Sequence, residues 1–126
     1  GIADYLPAVA GLLLEKEIKT LGDILENPAH PFAVLLGGAK ISDKIGMLEN
    51  IRCKVDSFLI GGGMAATFLK AKSYGVGLSL VEGDKLEFVT QLMGDIAKQR
   101  KHLVLPIDVV VADSLSTEAT SKVVPV

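Results

Sequence analysis

This chain has no tryptophan, a single cysteine and two histidines, and aromatic residues make up only 5% of it. The lone Cys53 excludes an internal disulfide and fits a reducing compartment. One cysteine and two isolated histidines, His30 and His102, also exclude a zinc site of the usual kind. Neither sign of charge is in much excess: 13 Lys and Arg stand against 15 Asp and Glu, for a formal net charge of −2 and a pI of about 5.6. That argues against a nucleic-acid surface, which carries a basic excess, so any positive site must be local. No apolar run approaches the roughly 18 residues of a membrane span. The richest, Val9 to Leu14, is followed at once by Glu15, Lys16 and Glu17. The N-terminus has no secretory pattern. A soluble chain with a cytoplasmic location is expected, with neither nucleic acid nor membrane as partner.

What the chain does have is apolarity spread over short segments. Of 126 residues, 49% are hydrophobic and 22% charged, with a mean hydropathy of +0.43. At 13.3 kDa this is one domain at most. Few aromatics and high apolarity suit a parallel sheet covered on both faces by helices, whose strands are apolar throughout. The chain begins with Gly1 and stops at an apolar Val123-Val124-Pro125-Val126, which suggests a piece of something larger.

Periodicity orders the elements. From Asp4 to Asn27, Val9, Leu12, Leu13, Ile18, Leu21, Ile24 and Leu25 recur at helical steps, with Pro7 near a start and Asn27-Pro28 as a stop. Phe32–Leu36 and Val55–Ile60 read as buried strands. Helices are expected after each, one capped by Ser42 or Asp43 and carrying Ile45, Leu48 and Ile51, the other spanning Met64–Lys72. Asp84 to about Arg100 is a further helix with Leu86, Val89, Leu92, Met93 and Ile96 inward. His102–Leu105 and Val109–Val111 read as strands on either side of Pro106, and Ser114 to Ser121 as a polar, weakly structured stretch. Strands alternating with helices predict parallel βαβ units in a Rossmann-like three-layer α/β/α sheet. Four strands make a small sheet with an open apolar edge, so an incomplete half-domain is expected.

Two corners carry the chemistry. Each runs an apolar strand into glycine and then into a helix: Leu36-Gly37-Gly38-Ala39-Lys40 and Ile60-Gly61-Gly62-Gly63-Met64. Glycine there lets the backbone approach a ligand, and a following helix offers N–H groups to an anion. Only the first corner adds two lysines, Lys40 and Lys44, spaced to project from one side of a helix start. Cations there are disfavoured by roughly 0.3–1 kcal/mol each, because the helix dipole is already positive, so an anion is the natural counterpart. The plainer reading is two solvated lysines with Asp43 and Glu49 as partners. The glycines immediately before them favour a phosphate site. Neither corner is a Walker loop or a dinucleotide fingerprint: the required spacings are absent, and Ala66 stands where the last glycine of the latter would be.

Other candidates are weaker. His30 lies in a Pro-flanked turn and His102 opens a strand. Asp108 and Asp113 sit at opposite ends of an apolar strand and suit capping better than magnesium. Cys53 reads as a packing residue in a helix. No Ser-His-Asp arrangement or catalytic carboxylate pair is present.

Four segments taken together are far more specific. They are Gly11-Leu12-Leu13-Leu14-Glu15-Lys16-Glu17, Leu36-Gly37-Gly38-Ala39-Lys40-Ile41-Ser42-Asp43-Lys44-Ile45, Ile60-Gly61-Gly62-Gly63-Met64-Ala65-Ala66-Thr67-Phe68-Leu69-Lys70 and Leu105-Pro106-Ile107-Asp108-Val109-Val110-Val111-Ala112-Asp113. In content, order and spacing the chain resembles the phosphoglycerate kinases over almost its whole length. The resemblance implies phosphoryl transfer between 1,3-bisphosphoglycerate and ADP, giving 3-phosphoglycerate and ATP, with the magnesium nucleotide as substrate. It implies that Lys40 meets the transferring phosphoryl group and that Lys44 binds the nucleotide phosphates. Gly38, Ala39, Gly62 and Gly63 would line the adenosine pocket, and Leu80 would pack on the base. Ala66 departs from the aromatic common in the family. Residues 1–27 correspond to the interdomain helix and 28–126 to the first part of the nucleotide-binding domain. The phosphoglycerate site and the magnesium ligand are then expected outside this chain. The chain alone is expected to be inactive, and the intact parent a monomer. A stand-alone nucleotide-binding module and a structural segment that self-associates through its sheet edge are the alternatives.

Overall fold

Short apolar strands separated by glycine-terminated corners build the sheet in the computed structural model, which describes residues 1–114 and 116–126. The strands β1 (Ala33–Leu36), β2 (Ser57–Ile60) and β3 (His102–Val104) lie side by side in that order, all parallel. Val34 is level with Phe58, Leu36 with Ile60, and Phe58 with Leu103. The crossover from β1 to β2 carries a 3₁₀ turn (Ser42–Lys44) and α2 (Ile45–Ile51). The crossover from β2 to β3 carries α3 (Met64–Ala71), a second 3₁₀ turn (Gly83–Lys85) and α4 (Leu86–Lys98). This is the expected Rossmann-like α/β architecture, as a partial domain.

The core forms because strand alternation and helical spacing point at each other. Leu36, Phe58 and Ile60 meet Leu48 and Ile51 of α2, Met64, Ala65 and Phe68 of α3, and Val89, Leu92 and Ile96 of α4 in one buried cluster. The alternate strand positions face away from this cluster, and Leu35 is 77% exposed. At the far end of the sheet Asp56 ties the strand starts together. Its carboxylate accepts the Phe32 N–H at 2.6 Å, while its own N–H donates to the Phe32 carbonyl at 2.8 Å.

Two expectations are corrected. The segment after Pro106 is no fourth parallel strand: β4 (Asp108–Ala112) pairs antiparallel with β5 (Ser121–Pro125), Val110 opposite Val123, as a separate two-stranded sheet. Residues 105–107 are too few for the crossover of a dozen or more residues that a parallel neighbour needs. The polar stretch expected over 114–121 is turns and irregular backbone among its described residues up to β5, which begins at Ser121; Leu115 within it lies outside the described residues. Cys53 is exposed in the turn after α2 rather than packed in a helix.

Residues Gly1–His30 form a compact unit of their own beside the unit Pro31–Val126 in sequence. In it α1 (Leu12–Glu26) starts after Gly11 rather than near Pro7, with a 3₁₀ turn at Ile2–Asp4. It ends at Asn27, whose N–H returns to the Asp23 carbonyl at 3.0 Å. The apolar side chains that recur along it are exposed, Leu12 at 87%. Among the described residues no helix is long and apolar enough to cross a membrane.

Candidate functional site

Because Leu36 and Ile60 are level partners, β1 and β2 end together and their glycine segments leave the sheet side by side. The Gly61 N–H donates to the Leu36 carbonyl and the Met64 N–H to the Gly38 carbonyl, each at 2.8 Å. The two corners therefore touch backbone to backbone. A Cβ on Gly62 would stand 2.8 Å from the Gly38 nitrogen and 3.2 Å from its oxygen, and one on Gly63 would stand 3.4 Å from Cα of Ala39. Gly38 and Gly62 have φ of +117° and +64°, in the region that favours glycine. The glycines serve first to let one corner close on the other.

Gly38, Ala39 and Lys40 are exposed at this junction. Lys40 precedes the 3₁₀ turn in irregular backbone and Lys44 closes that turn at the start of α2, so the two bracket the turn instead of sharing a helix face. The Lys44 ammonium lies beside Gly38, 3.4 Å from where a Cβ there would be. Among the described residues neither lysine forms an ion pair, so the partners Asp43 and Glu49 of the plainer reading are not engaged.

The expected cap by Ser42 or Asp43 is absent: neither the turn nor α2 has a side-chain cap. The amides are satisfied from elsewhere. Glu82 Oε2 accepts the N–H groups of Ile41 and Ser42, the latter at 3.3 Å. Hydrogen bonding from the Ser42 side chain, joined by those two amides, holds the Glu82 carboxyl below the usual carboxylate range. The Lys44 N–H returns to the Ile41 carbonyl at 2.8 Å. The amides of Ile41, Ser42 and Lys44 are thus occupied, so these three do not wait for an anion. Glu82 escaped the sequence reading because its partners lie some forty residues away and its local sequence reads only as a helix start.

The structure thus brings Gly38, Ala39, Lys40, Lys44, Gly62 and Gly63 to one place. Leu80 sits 60% exposed in the loop that leads to Glu82. His102 opens β3, with its N–H on the Asp56 carbonyl at 2.9 Å, and Asp108 and Asp113 stand at the two ends of β4. Among the described residues no three His, Cys, Asp or Glu side chains gather as metal ligands. A groove of about 620 Å³, lined in part by Leu69, Tyr74, Met93, Ile96, Leu103 and Pro106, includes neither glycine corner nor either lysine.

Known proteins share the sequence and fold of this chain. Residues 1–126 match the family model described as phosphoglycerate kinase. The phosphoglycerate kinase of Chloroflexus aurantiacus is 55% identical over 126 residues, all of this chain and 32% of that protein, and that of Pelotomaculum thermopropionicum is 49% identical over the same shares. The solved phosphoglycerate kinase of Coxiella burnetii superposes with a TM-score of 0.86 at 45% identity, covering 92% of this chain and 30% of the other. That of Pyrococcus horikoshii gives 0.77 at 28% identity, covering 96% and 31%. The chain spans about a third of the length of the relatives it matches. With a match that runs from its first residue to its last, this chain belongs to the phosphoglycerate kinase family.

Proposed function

We propose that this chain supplies one side of a phosphoryl-transfer site, the side that receives ADP or ATP in the reversible conversion of 1,3-bisphosphoglycerate and ADP to 3-phosphoglycerate and ATP. The observation that carries this reading is the junction of two glycine corners with Lys40 and Lys44 bracketing the turn beside it, neither lysine in an ion pair among the described residues. Phosphoryl transfer asks little covalent chemistry of the protein. It needs positioning and charge stabilisation on the oxygens of the migrating group.

In this reading Lys40 stabilises the transferring phosphoryl group and Lys44 holds the nucleotide phosphates. Gly38, Ala39, Gly62 and Gly63 form the wall against adenosine, and Leu80 covers the base. The occupied amides of Ile41 and Ser42 leave the exposed stretch 37–40 as the backbone an anion can reach. Magnesium enters as part of the nucleotide substrate, and the described residues hold no ligand cluster for it.

Residues 1–27 act as the interdomain helix and residues 28–126 as the first part of the nucleotide domain, in a monomeric cytoplasmic enzyme. Since both reactants must be held in line, a polypeptide of these 126 residues alone has no turnover. The test is the Lys40→Ala, Lys44→Ala double variant of a full-length kinase carrying this segment. Loss of turnover with the fold retained is expected, and unchanged turnover would reject these roles.

A further inference from the structure

One residue outside the glycine corners touches the supports of both, through its backbone on one side and its carboxylate on the other. The Glu82 N–H donates to the hydroxyl oxygen of Thr67 at 3.2 Å, and Thr67 is 1% exposed on α3, the helix that starts from the second corner. The Glu82 carboxylate accepts the N–H groups of Ile41 and Ser42 in the first corner. Ile41 is fully buried and directly follows Lys40. The neighbouring Lys85 is paired with Asp84 at 2.6 Å, while the Glu82 carboxylate is spent on backbone amides.

A local Ser or Asp cap would satisfy such amides at less cost in side-chain freedom, and Ser42 and Asp43 are at hand. A cap brought from a distant loop does something a local one does not. It fixes the turn in space, because a hydrogen bond through an ionised group is short, directional and about twice as strong as a neutral one. Glu82 is itself pinned at its backbone to α3, so the position of the turn is referred to the second corner.

We propose that Glu82 is a positioning residue for phosphoryl transfer: it holds the turn 41–44, and through it Lys40 and Lys44, in register with the Gly61–Gly63 corner. This rests on the roles proposed above for the two lysines. Removing the carboxylate leaves the fold in place but lets both lysines drift, which reduces kcat through Lys40 and raises the nucleotide KM through Lys44. The KM for the phosphoglycerate, bound elsewhere, stays unchanged.

The experiment measures kcat, both KM values and Tm for Glu82→Ala and Glu82→Gln in a full-length kinase carrying this segment, with Lys40→Ala alongside. Support is a fall in kcat of about tenfold or more in Glu82→Ala with a raised nucleotide KM and an unchanged phosphoglycerate KM. Glu82→Gln, which keeps one acceptor oxygen, should recover part of the loss, and it carries the test if Glu82→Ala does not fold. If kcat and nucleotide KM stay within twofold of the parent in every Glu82 variant that folds, whatever happens to Tm, Glu82 is only a structural tie and the proposal fails. The Lys40→Ala arm separates the two claims. Turnover lost there but kept in the Glu82 variants overturns the positioning role alone. Turnover kept in Lys40→Ala overturns the role of Lys40 and, with it, this proposal.

Discussion

A Cβ atom on Gly62 would lie 2.8 Å from the backbone nitrogen of Gly38, so the two glycine corners of this sheet are built against each other rather than merely near each other. The contact is backbone to backbone, where neither side has a flexible end to move.

Gly62→Ala should therefore be costly for two independent reasons. A positive φ of +64° disfavours any L side chain by roughly 1–2 kcal/mol, and forcing an atom into filled space adds about 1–3 kcal/mol. Gly94→Ala is the control, since Gly94 is inside α4 and a Cβ there meets nothing within 4 Å. It should be neutral or stabilising by up to about 1 kcal/mol. Denaturant unfolding of the two variants in the full-length kinase reads the contrast, and equal stabilities would contradict the apposition of the corners.

Much of this arrangement is legible in the sequence, and the illegible parts share a physical reason. The runs ending at Leu36 and Ile60 announce strands, and the spacing of Val89, Leu92 and Ile96 announces the buried face of α4. Those signals are local, and tertiary packing agreed with them. Pairing partners are not local. Ser121–Pro125 looks like a strand only opposite Asp108–Ala112, although the short gap after β3 already forbade a parallel fourth strand. Site residues followed the same division. The lysines and glycines stand out beside the turns they belong to, whereas Glu82 acquires its role only when the fold carries it to Ile41 and Ser42.

Acid should weaken the tie that Glu82 makes. Its folded pKa lies below the ordinary value of 4.5, first through hydrogen bonding from Ser42 and then through the Ile41 and Ser42 amides. A carboxyl with a depressed native pKa contributes stability that is fully present above the unfolded value and is lost as pH falls through the folded one. The stability gap between the parent and Glu82→Gln should thus be constant near neutrality and close progressively below pH 4.5. Unfolding midpoints measured across that range check it, and a gap that widens in acid would contradict the cited cause.

Thr67→Val tests the other end of the same tie. The substitution keeps the shape of a fully buried side chain but removes the oxygen that accepts the Glu82 N–H. A hydrogen bond of this kind contributes about 1 kcal/mol, and stranding its donor costs up to roughly 3 kcal/mol. A loss in that range is expected by denaturant unfolding, with kcat reduced less than in Glu82→Ala because the carboxylate contacts remain. A fully neutral variant would mean that the Thr67 contact does not anchor the loop.

The two lysines should fail differently when changed singly in the full-length kinase. Lys40 is proposed to act on charge that develops during transfer, so Lys40→Ala should lower kcat by roughly 10²- to 10³-fold with little change in nucleotide KM. Lys44, whose ammonium lies over Gly38, is proposed to hold nucleotide phosphates already present in the ground state. Lys44→Ala should therefore raise the nucleotide KM by about tenfold or more and lower kcat less. Steady-state kinetics with varied ADP separates the two patterns. If they come out reversed, the lysine nearer the glycine corner is the one that meets the moving phosphoryl group, and the assignment of roles across the turn must be exchanged.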